Sequence, residues 1–313
     1  MMLIIRQFLF YSFIAVFLFF NSTVFGQRDS SHFLPSTSSL DQNKLIGLIA
    51  GETILYSSAM IGLGALWYAD YPKSDFHFFN DHDEWLQMDK VGHFVTAYYL
   101  NELETGMFLW AGVGEKKAIW LSGTFGTMFL LSVEVFDGFS SGWGASYGDV
   151  VANFGGRMFG IGQTLLWEEQ RVLAKFSFHD TQYAQYRPEL LGNGLTEELL
   201  KDYNGQSYWL SANIASFISE ESKFPDWLNI AFGYAANGMI GANENPDKIN
   251  DKVLPEFERY RQYLISLDID LNRLPVKSPI LKTIFRTFGF IKIPFPAIEF
   301  NAVHGVEFHP LYF

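Results

Sequence analysis

The chain has 313 residues, room for about two domains of ~150 residues, and sets 22 Lys and Arg against 34 Asp and Glu, a formal net charge of −12. That sign excludes a nucleic-acid-coating protein, because a phosphate backbone would be repelled and no basic stripe offsets it. Aromatic residues make up 18% and hydrophobic residues 49%, which points to contact with a membrane or its interface, while the absence of cysteine excludes disulfides, thiolate metal sites and a lipidated cysteine.

Residues 1–26 place Arg6 ahead of an apolar stretch from Phe8 to Phe20 and end on Val24-Phe25-Gly26. This is the pattern of a cleaved secretory signal peptide; the alternative is a retained inner-membrane helix. A polar tether, residues 27–43, is rich in Ser and contains Pro35. Four long apolar segments follow within residues 44–170 and predict helices over Lys44–Ala69, Asp89–Ala111, Glu115–Phe136 and Tyr147–Glu169. Short connections predict an antiparallel bundle. Each segment is near bilayer-crossing length, yet Glu52, His93, Glu102, Glu104, Glu134, Asn153, Arg157 and Gln163 interrupt the apolar runs, so both a lipid-spanning and a water-side bundle fit.

From residue 171 to 313 the period changes from 3.6 to 2. Tyr263, Ile265, Leu267, Ile269 and Leu271 alternate with Gln262, Ser266, Asp268, Asp270 and Asn272, and Leu228, Ile230, Phe232 and Tyr234 alternate with small or polar residues. Both runs predict strands. Pro296–Val303 and Gly305–Phe313 predict two closing strands around His304-Gly305; Phe176–His179 and Thr181–Tyr186 predict further strand, and Gln206–Ser219 and Ser278–Phe288 short helices. The predicted fold is therefore α+β: an antiparallel bundle of about four hydrophobic helices, then an antiparallel sheet, open or a partial barrel, with helical insertions. The alternation, the aromatic load and the terminal Phe313 resemble the closing strands of outer-membrane barrels, but the countable strands fall short of the usual minimum for a closed one.

The polar residues with chemical potential lie in three places in the helical half. Asp89 and His93 stand four apart, Glu134 and Asp137 three apart, and Asp149, Asn153 and Arg157 at successive fours, so each set shares one helix face. In an antiparallel bundle all three faces reach the same end. His93, Asp89, Glu134, Asp137, Asp149 and Asn153 are thus candidate catalytic residues, Lys90, Ser146 and Arg157 candidate substrate-binding residues, and His93, Asp89 and Asp149 possible ligands of a divalent metal. No other cofactor is expected. The structural alternative is that Asp89 and Asp149 cap helices, Ser146 and Asp149 form a variant capping box, and the carboxylates pair with Lys90 and Arg157. Gly138–Gly148 reads either as a phosphate cradle or as a packed turn, the turn being the commoner outcome. His77, Asp81, His82, Asp83 and Glu84 in an aromatic loop, and His304 with His309 near the C-terminus, are secondary metal candidates whose default is solvation.

The series Asp89-Lys90-x-x-His93, Glu134-x-x-Asp137-Gly138 and Ser146-x-Gly148-Asp149-x-x-x-Asn153-x-x-Gly156 resembles the YfiM-like family of predicted periplasmic lipoproteins, whose domain has no assigned function. It is more distantly similar to VanZ-like membrane proteins, a family associated with glycopeptide-antibiotic resistance. The resemblance covers residues 44–170 and implies an exported envelope protein; the chain departs from it in lacking a lipobox cysteine and in carrying the β-rich half. The expectation is an outer-membrane-associated or periplasmic protein that is structural or binds a lipid or protein partner. The rival is a hydrolase or transferase acting on a lipid-linked or cell-wall substrate through the His and carboxylate cluster.

Overall fold

The computed structural model describes residues 39–66, 72–218, 222–249 and 252–313; the leader and most of the tether lie outside the described residues. The chain divides into a helical unit, Met1–Asp81 with Thr96–Glu169, and a sheet unit, His82–Val95 with Gln170–Phe313.

Helix α1 spans Gln42–Leu66, α2 Met88–Trp110, α3 Glu115–Leu121, α4 Thr124–Gly138 and α5 Tyr147–Trp167. The first turns of α2, to Val95, cluster with the sheet unit. The single helix predicted over Glu115–Phe136 is instead two, α3 and α4, because Ser122-Gly123 breaks it. Gly123 adopts a left-handed φ of +70, and the Ser122 hydroxyl lies 2.6 Å from the Ile119 carbonyl and 3.1 Å from Asn101 Oδ1, within reach of both acceptors. Glycines set the close approach of the remaining helices. A Cβ on Gly126 would lie 2.6 Å from Leu100 Cβ, and its N–H donates to Glu104 Oε1 at 2.7 Å. A Cβ on Gly160 would meet the Asn101 amide at 2.8 Å, so α5 also packs onto α2 through a missing side chain. Ile46, Ile54 and Ile61 on α1 and Val151, Met158 and Leu166 on α5 are exposed. Two stretches, residues 42–65 and 115–138, are long and apolar enough to cross a membrane by length and composition, and the first is only 6% buried.

In the helical unit, β1 Phe78–Phe79 pairs in parallel with β2 Ala145–Ser146. The sheet unit is built on β3 Val172–Phe178, β4 Gln206–Asn213, β5 Leu228–Asn237, β8 Tyr260–Ile269, β9 Phe295–Asn301 and β10 Gly305–Tyr312, ordered β10-β9-β8-β5-β4-β3 with every pair antiparallel. Between these strands stand α6 Pro188–Leu191, α7 Leu195–Lys201, the short pair β6 Lys248–Ile249 and β7 Lys252–Val253, and α8 Pro279–Phe288. The sheet is open. The β3 edge is capped by residues 290–292, where Phe176 N–H donates to the Phe290 carbonyl and Lys292 N–H to the Phe176 carbonyl, both at 2.9 Å. On the opposite side of the sheet order, Tyr312 of β10 comes within 3.3 Å of Ser207 of β4, hydroxyl to hydroxyl, so the sheet curls over its buried face.

Two predicted elements of the sheet unit are also corrected. Gln206–Ser219 is strand β4 followed by a 3₁₀ turn at Ala215–Phe217, because its alternation of Ser207, Trp209 and Ser211 with Tyr208 and Leu210 matches the registers of β3 and β5. Thr181–Tyr186 is a run of turns: the Thr181 hydroxyl bonds the Asp202 carboxylate and accepts from Tyr183 N–H at 3.2 Å, which diverts the chain from any strand partner. The hairpin predicted at His304-Gly305 is present, with Gly305 at φ +79.

The inner face of the sheet buries polar groups together with the apolar cluster Trp209, Ala231, Ala235, Leu264, Ala297 and Tyr312, and much of the outer face is apolar. One inward row crosses all six strands, buried at Lys175, Trp209, Gly233, Leu264 and Glu299 and more open at Glu307, and its neighbours carry Ser177, Ser207, Gln262 and Asn301 on one side and Ser211, Ser266 and His309 on the other. The opposite face carries the row Leu210, Phe232, Ile265, Ile298 and Phe308, each between 38 and 67% exposed. Residues 82–95 cover part of that outer face, where Tyr208 meets Gly92, the Tyr234 hydroxyl bonds the Leu86 carbonyl and Arg261 donates to Gln87 Oε1 at 2.6 Å. Beyond that cover Tyr263, Ile265, Leu267, Ile298, Phe300, Val306 and Phe308 stay exposed.

Candidate functional site

In the helical unit the chain enters α5 through Ser146, whose extended backbone makes it the N-cap. Its Oγ accepts from the Asp149 N–H at 3.1 Å and donates to Asp81 Oδ1 at 2.6 Å, while its own N–H donates to Glu134 Oε2 at 3.0 Å. Glu134, Ser146, Asp149 and Asn153 are all buried. Ser146 therefore gathers Glu134, Asp149 and Asp81, and Asp149 sits where the helix dipole favours an anion. Asp137 lies one turn past Glu134, and its backbone carbonyl accepts from Ser140 N–H at 3.0 Å. Arg157 is engaged elsewhere: Nη2 donates to the Trp120 carbonyl at 2.9 Å and the side-chain stem fills the space over Gly123.

The glycines of this stretch serve packing. A Cβ on Gly138 would stand 2.3 Å from the Phe76 ring, and one on Gly144 would meet Phe79 at 2.6 Å and His77 at 3.0 Å. The aromatic loop is thereby pinned at both ends, with Phe78 stacked on Tyr147 at 4.2 Å between ring centroids. Loop residue Asp81 owes its place beside Ser146 to this docking.

In the sheet unit Asp89, Lys90 and His93 open α2. Lys90 Nζ lies 3.1 Å from Asp89 Oδ2, His93 Nε2 3.8 Å from Asp89 Oδ1, and the Tyr203 hydroxyl donates to Oδ1 at 2.6 Å. Burial pushes the Asp89 carboxyl up, but His93, Lys90 and the Tyr203 bond outweigh it and hold the group below the usual carboxylate range. Asp89 is thus an ionised anchor that orients an imidazole, an arrangement able to serve acid–base chemistry or ligation. Tyr203 was not legible in the sequence, since it lies 114 residues from Asp89 on a different element. Asp89, Lys90 and His93 are carried by the sheet unit, and Glu134, Asp137, Ser146, Asp149, Asn153 and Arg157 by the helical unit.

Residues 75–164 match a family described as predicted periplasmic lipoprotein (DUF2279). No curated protein and no solved structure matches the chain. The DUF2279 stretch contains every candidate residue from Asp81 to Arg157, and its description supports an exported envelope protein, periplasmic or associated with the outer membrane. It supports the resemblance at the level of a periplasmic domain of unknown function, without reaching the YfiM-like or VanZ-like assignments.

Outside the DUF2279 stretch, the inner face of the sheet holds polar groups that sequence reasoning missed. Lys175 Nζ is 2.6 Å from Asp268 Oδ2, both side chains fully buried, and donates to the Ile269 carbonyl at 2.7 Å. Asp268 also accepts from the Ser211 hydroxyl at 2.6 Å. Lys292 lies 4.5 Å over the Trp209 ring, which occupies the space left by Gly233. The signal was present in the strand pattern, where Ser211 and Asn213 on β4, Ser266 and Asp268 on β8 and Glu299 and Asn301 on β9 share the alternate positions with small and apolar residues; only its direction, polar groups inward, was not.

Proposed function

We propose that this envelope protein is membrane-associated and that the outer face of its sheet is a lipid-contact surface, so that it serves as a structural or lipid-binding component. The observation that carries the reading is the inverted sheet. A water-soluble antiparallel sheet packs its apolar face on the core and turns its polar face to solvent, whereas here Lys175, Asp268 and Glu299 are sealed inside while Phe232, Ile265, Ile298 and Phe308 face outward. Alternation of that sense is what a lipid environment selects. Helix α8 supports it: Ile280, Leu281, Ile284 and Phe288 are exposed along one side, with Lys282 and Arg286 on the same helix, the composition of an interfacial helix. In the helical unit, the exposed isoleucines of α1 are a further apolar surface.

Because the chain has no cysteine, single-cysteine spin labels test this cleanly. Nitroxides at Phe308→Cys and Ile265→Cys should be reached by oxygen dissolved in lipid rather than by a water-soluble relaxation agent in reconstituted vesicles, and one at Ser266→Cys should be shielded from both. Outer labels fully open to the aqueous agent, in a protein that a mild wash releases from vesicles, would overturn the proposal.

The hydrolase or transferase reading keeps one supporting observation, the ionised Asp89 beside His93. His93→Gln in a folded protein separates the two: unchanged envelope function leaves the lipid-contact reading standing alone.

A further inference from the structure

Strands β9 and β10 place Glu299 and Glu307 directly opposite each other on the buried face of the sheet. Like charges at such a cross-strand pair repel and destabilise the hairpin unless something neutralises them. Among the described residues no Lys or Arg pairs with either carboxylate; the ion-pairing group is His309, two residues along β10, whose Nε2 lies 2.8 Å from Glu299 Oε2. The Asn301 amide bridges the two, donating to Glu299 Oε1 at 2.8 Å and to Glu307 Oε2 at 3.2 Å. Glu299, Glu307 and His309 each offer a ligand atom, and the three atoms lie within 4.8 Å of one another. A second observation is independent of these contacts. Gln262 on β8, opposite Asn301 on the same face, is only 6% exposed, and its Oε1 has no hydrogen-bond partner. A buried acceptor without a donor costs roughly 1–3 kcal/mol, and here its cross-strand neighbour is Asn301, the residue that donates to both carboxylates.

We propose that Glu299, Glu307 and His309, completed by Gln262 Oε1, form a binding site for a divalent transition-metal cation of the Zn²⁺ class. The donor set is three oxygens and one imidazole nitrogen with two formal negative charges, which suits a borderline divalent ion and neither a monovalent nor a thiol-seeking one. Donor atoms within 4.8 Å of one another need only a small contraction to reach the separations that ~2.0–2.2 Å metal bonds impose. Asn301, already bonded to both carboxylates, orients them from the second layer. On binding, the cation takes over the role of the His309–Glu299 contact in holding the two strands together. The site lies on β9 and β10, outside residues 75–164, whereas His93 and Asp89 lie on α2 within that stretch.

The test uses the full chain purified in detergent on a tag without histidine, stripped with chelator and titrated with Co²⁺ and with Zn²⁺. One equivalent of Co²⁺ should give a visible ligand-field spectrum that Zn²⁺ bleaches, and Zn²⁺ should raise the thermal midpoint. His309→Ala and Glu307→Gln should each abolish the spectrum, and Asn301→Ala should weaken binding by about 10–100-fold, as outer-layer changes do. Glu307→Gln is nearly isosteric on the less buried strand, so it reports even if His309→Ala fails to fold. No spectrum in the wild type, or a stoichiometric one surviving in a folded Glu307→Gln variant, would overturn the site.

Discussion

Replacing Phe232 by Arg distinguishes a lipid-facing sheet from a water-facing one by the size of its effect. Phe232 sits mid-strand on β5, between Leu210 of β4 and Ile265 of β8 on the outer face, and is 50% exposed. A phenylalanine offers ~200 Å² for burial, so about 100 Å² looks outward here. At ~25 cal/mol per Å² its transfer from water into hydrocarbon contributes about 2.5 kcal/mol. A charge introduced at mid-bilayer depth on the outer face of a lipid-bound sheet costs about 2–4 kcal/mol. In water the same change at an exposed site stays within ~0.5 kcal/mol. Urea unfolding of the vesicle-reconstituted protein, followed by tryptophan fluorescence, should therefore show Phe232→Arg less stable by about 2 kcal/mol or more. A variant within ~0.5 kcal/mol of wild type would refute the lipid contact.

Breaking the sealed Lys175–Asp268 pair from one side, Lys175→Met, should destabilise the sheet by about 3–5 kcal/mol, and the double change Lys175→Met with Asp268→Leu should recover most of that loss in chemical denaturation; a double variant no better than the single one refutes the pairing argument. Gly233→Ala puts a Cβ 2.6 Å from the Trp209 ring, so a loss of about 1–3 kcal/mol with a shifted tryptophan emission is expected, and unaltered emission and midpoint would show that Trp209 moves freely. Asp89 is held below its ordinary value, so its contribution is present above the unfolded pKa of about 3.9 and is lost as pH falls through the folded one. Asp89→Asn should then lower the unfolding midpoint at neutral pH, and its gap from wild type should close below about pH 4; a gap constant down to about pH 3 contradicts the sign.

Much of the local architecture follows from neighbours in the chain. The apolar runs that become α1, α2 and α5, the N-cap at Ser146 and the period-2 alternation of β5, β8, β9 and β10 are short-range patterns, and short-range sterics and hydrogen bonding suffice to read them. The errors share a cause too. Ser122-Gly123 breaks a helix because Asn101, on another element, takes up the Ser122 hydroxyl, and β4 is a strand because β3 and β5 stand on either side of it. In both cases the deciding partner is remote in sequence.

The candidate residues divide in the same way. That Asp89 and His93 share a helix face is a matter of spacing; that Tyr203 donates to Asp89, that Asp81 reaches Ser146, and that Glu299, Glu307, Asn301 and His309 meet depends on strand register and loop docking. The N-terminal pattern, composition and alternation together pointed to an exported, aromatic-rich α+β protein with two-faced strands. Which face turns inward is a property of the assembled sheet, because a period-2 pattern is the same read from either side, and only the curl that seals Lys175 and Asp268 within leaves Phe232 and Phe308 outside.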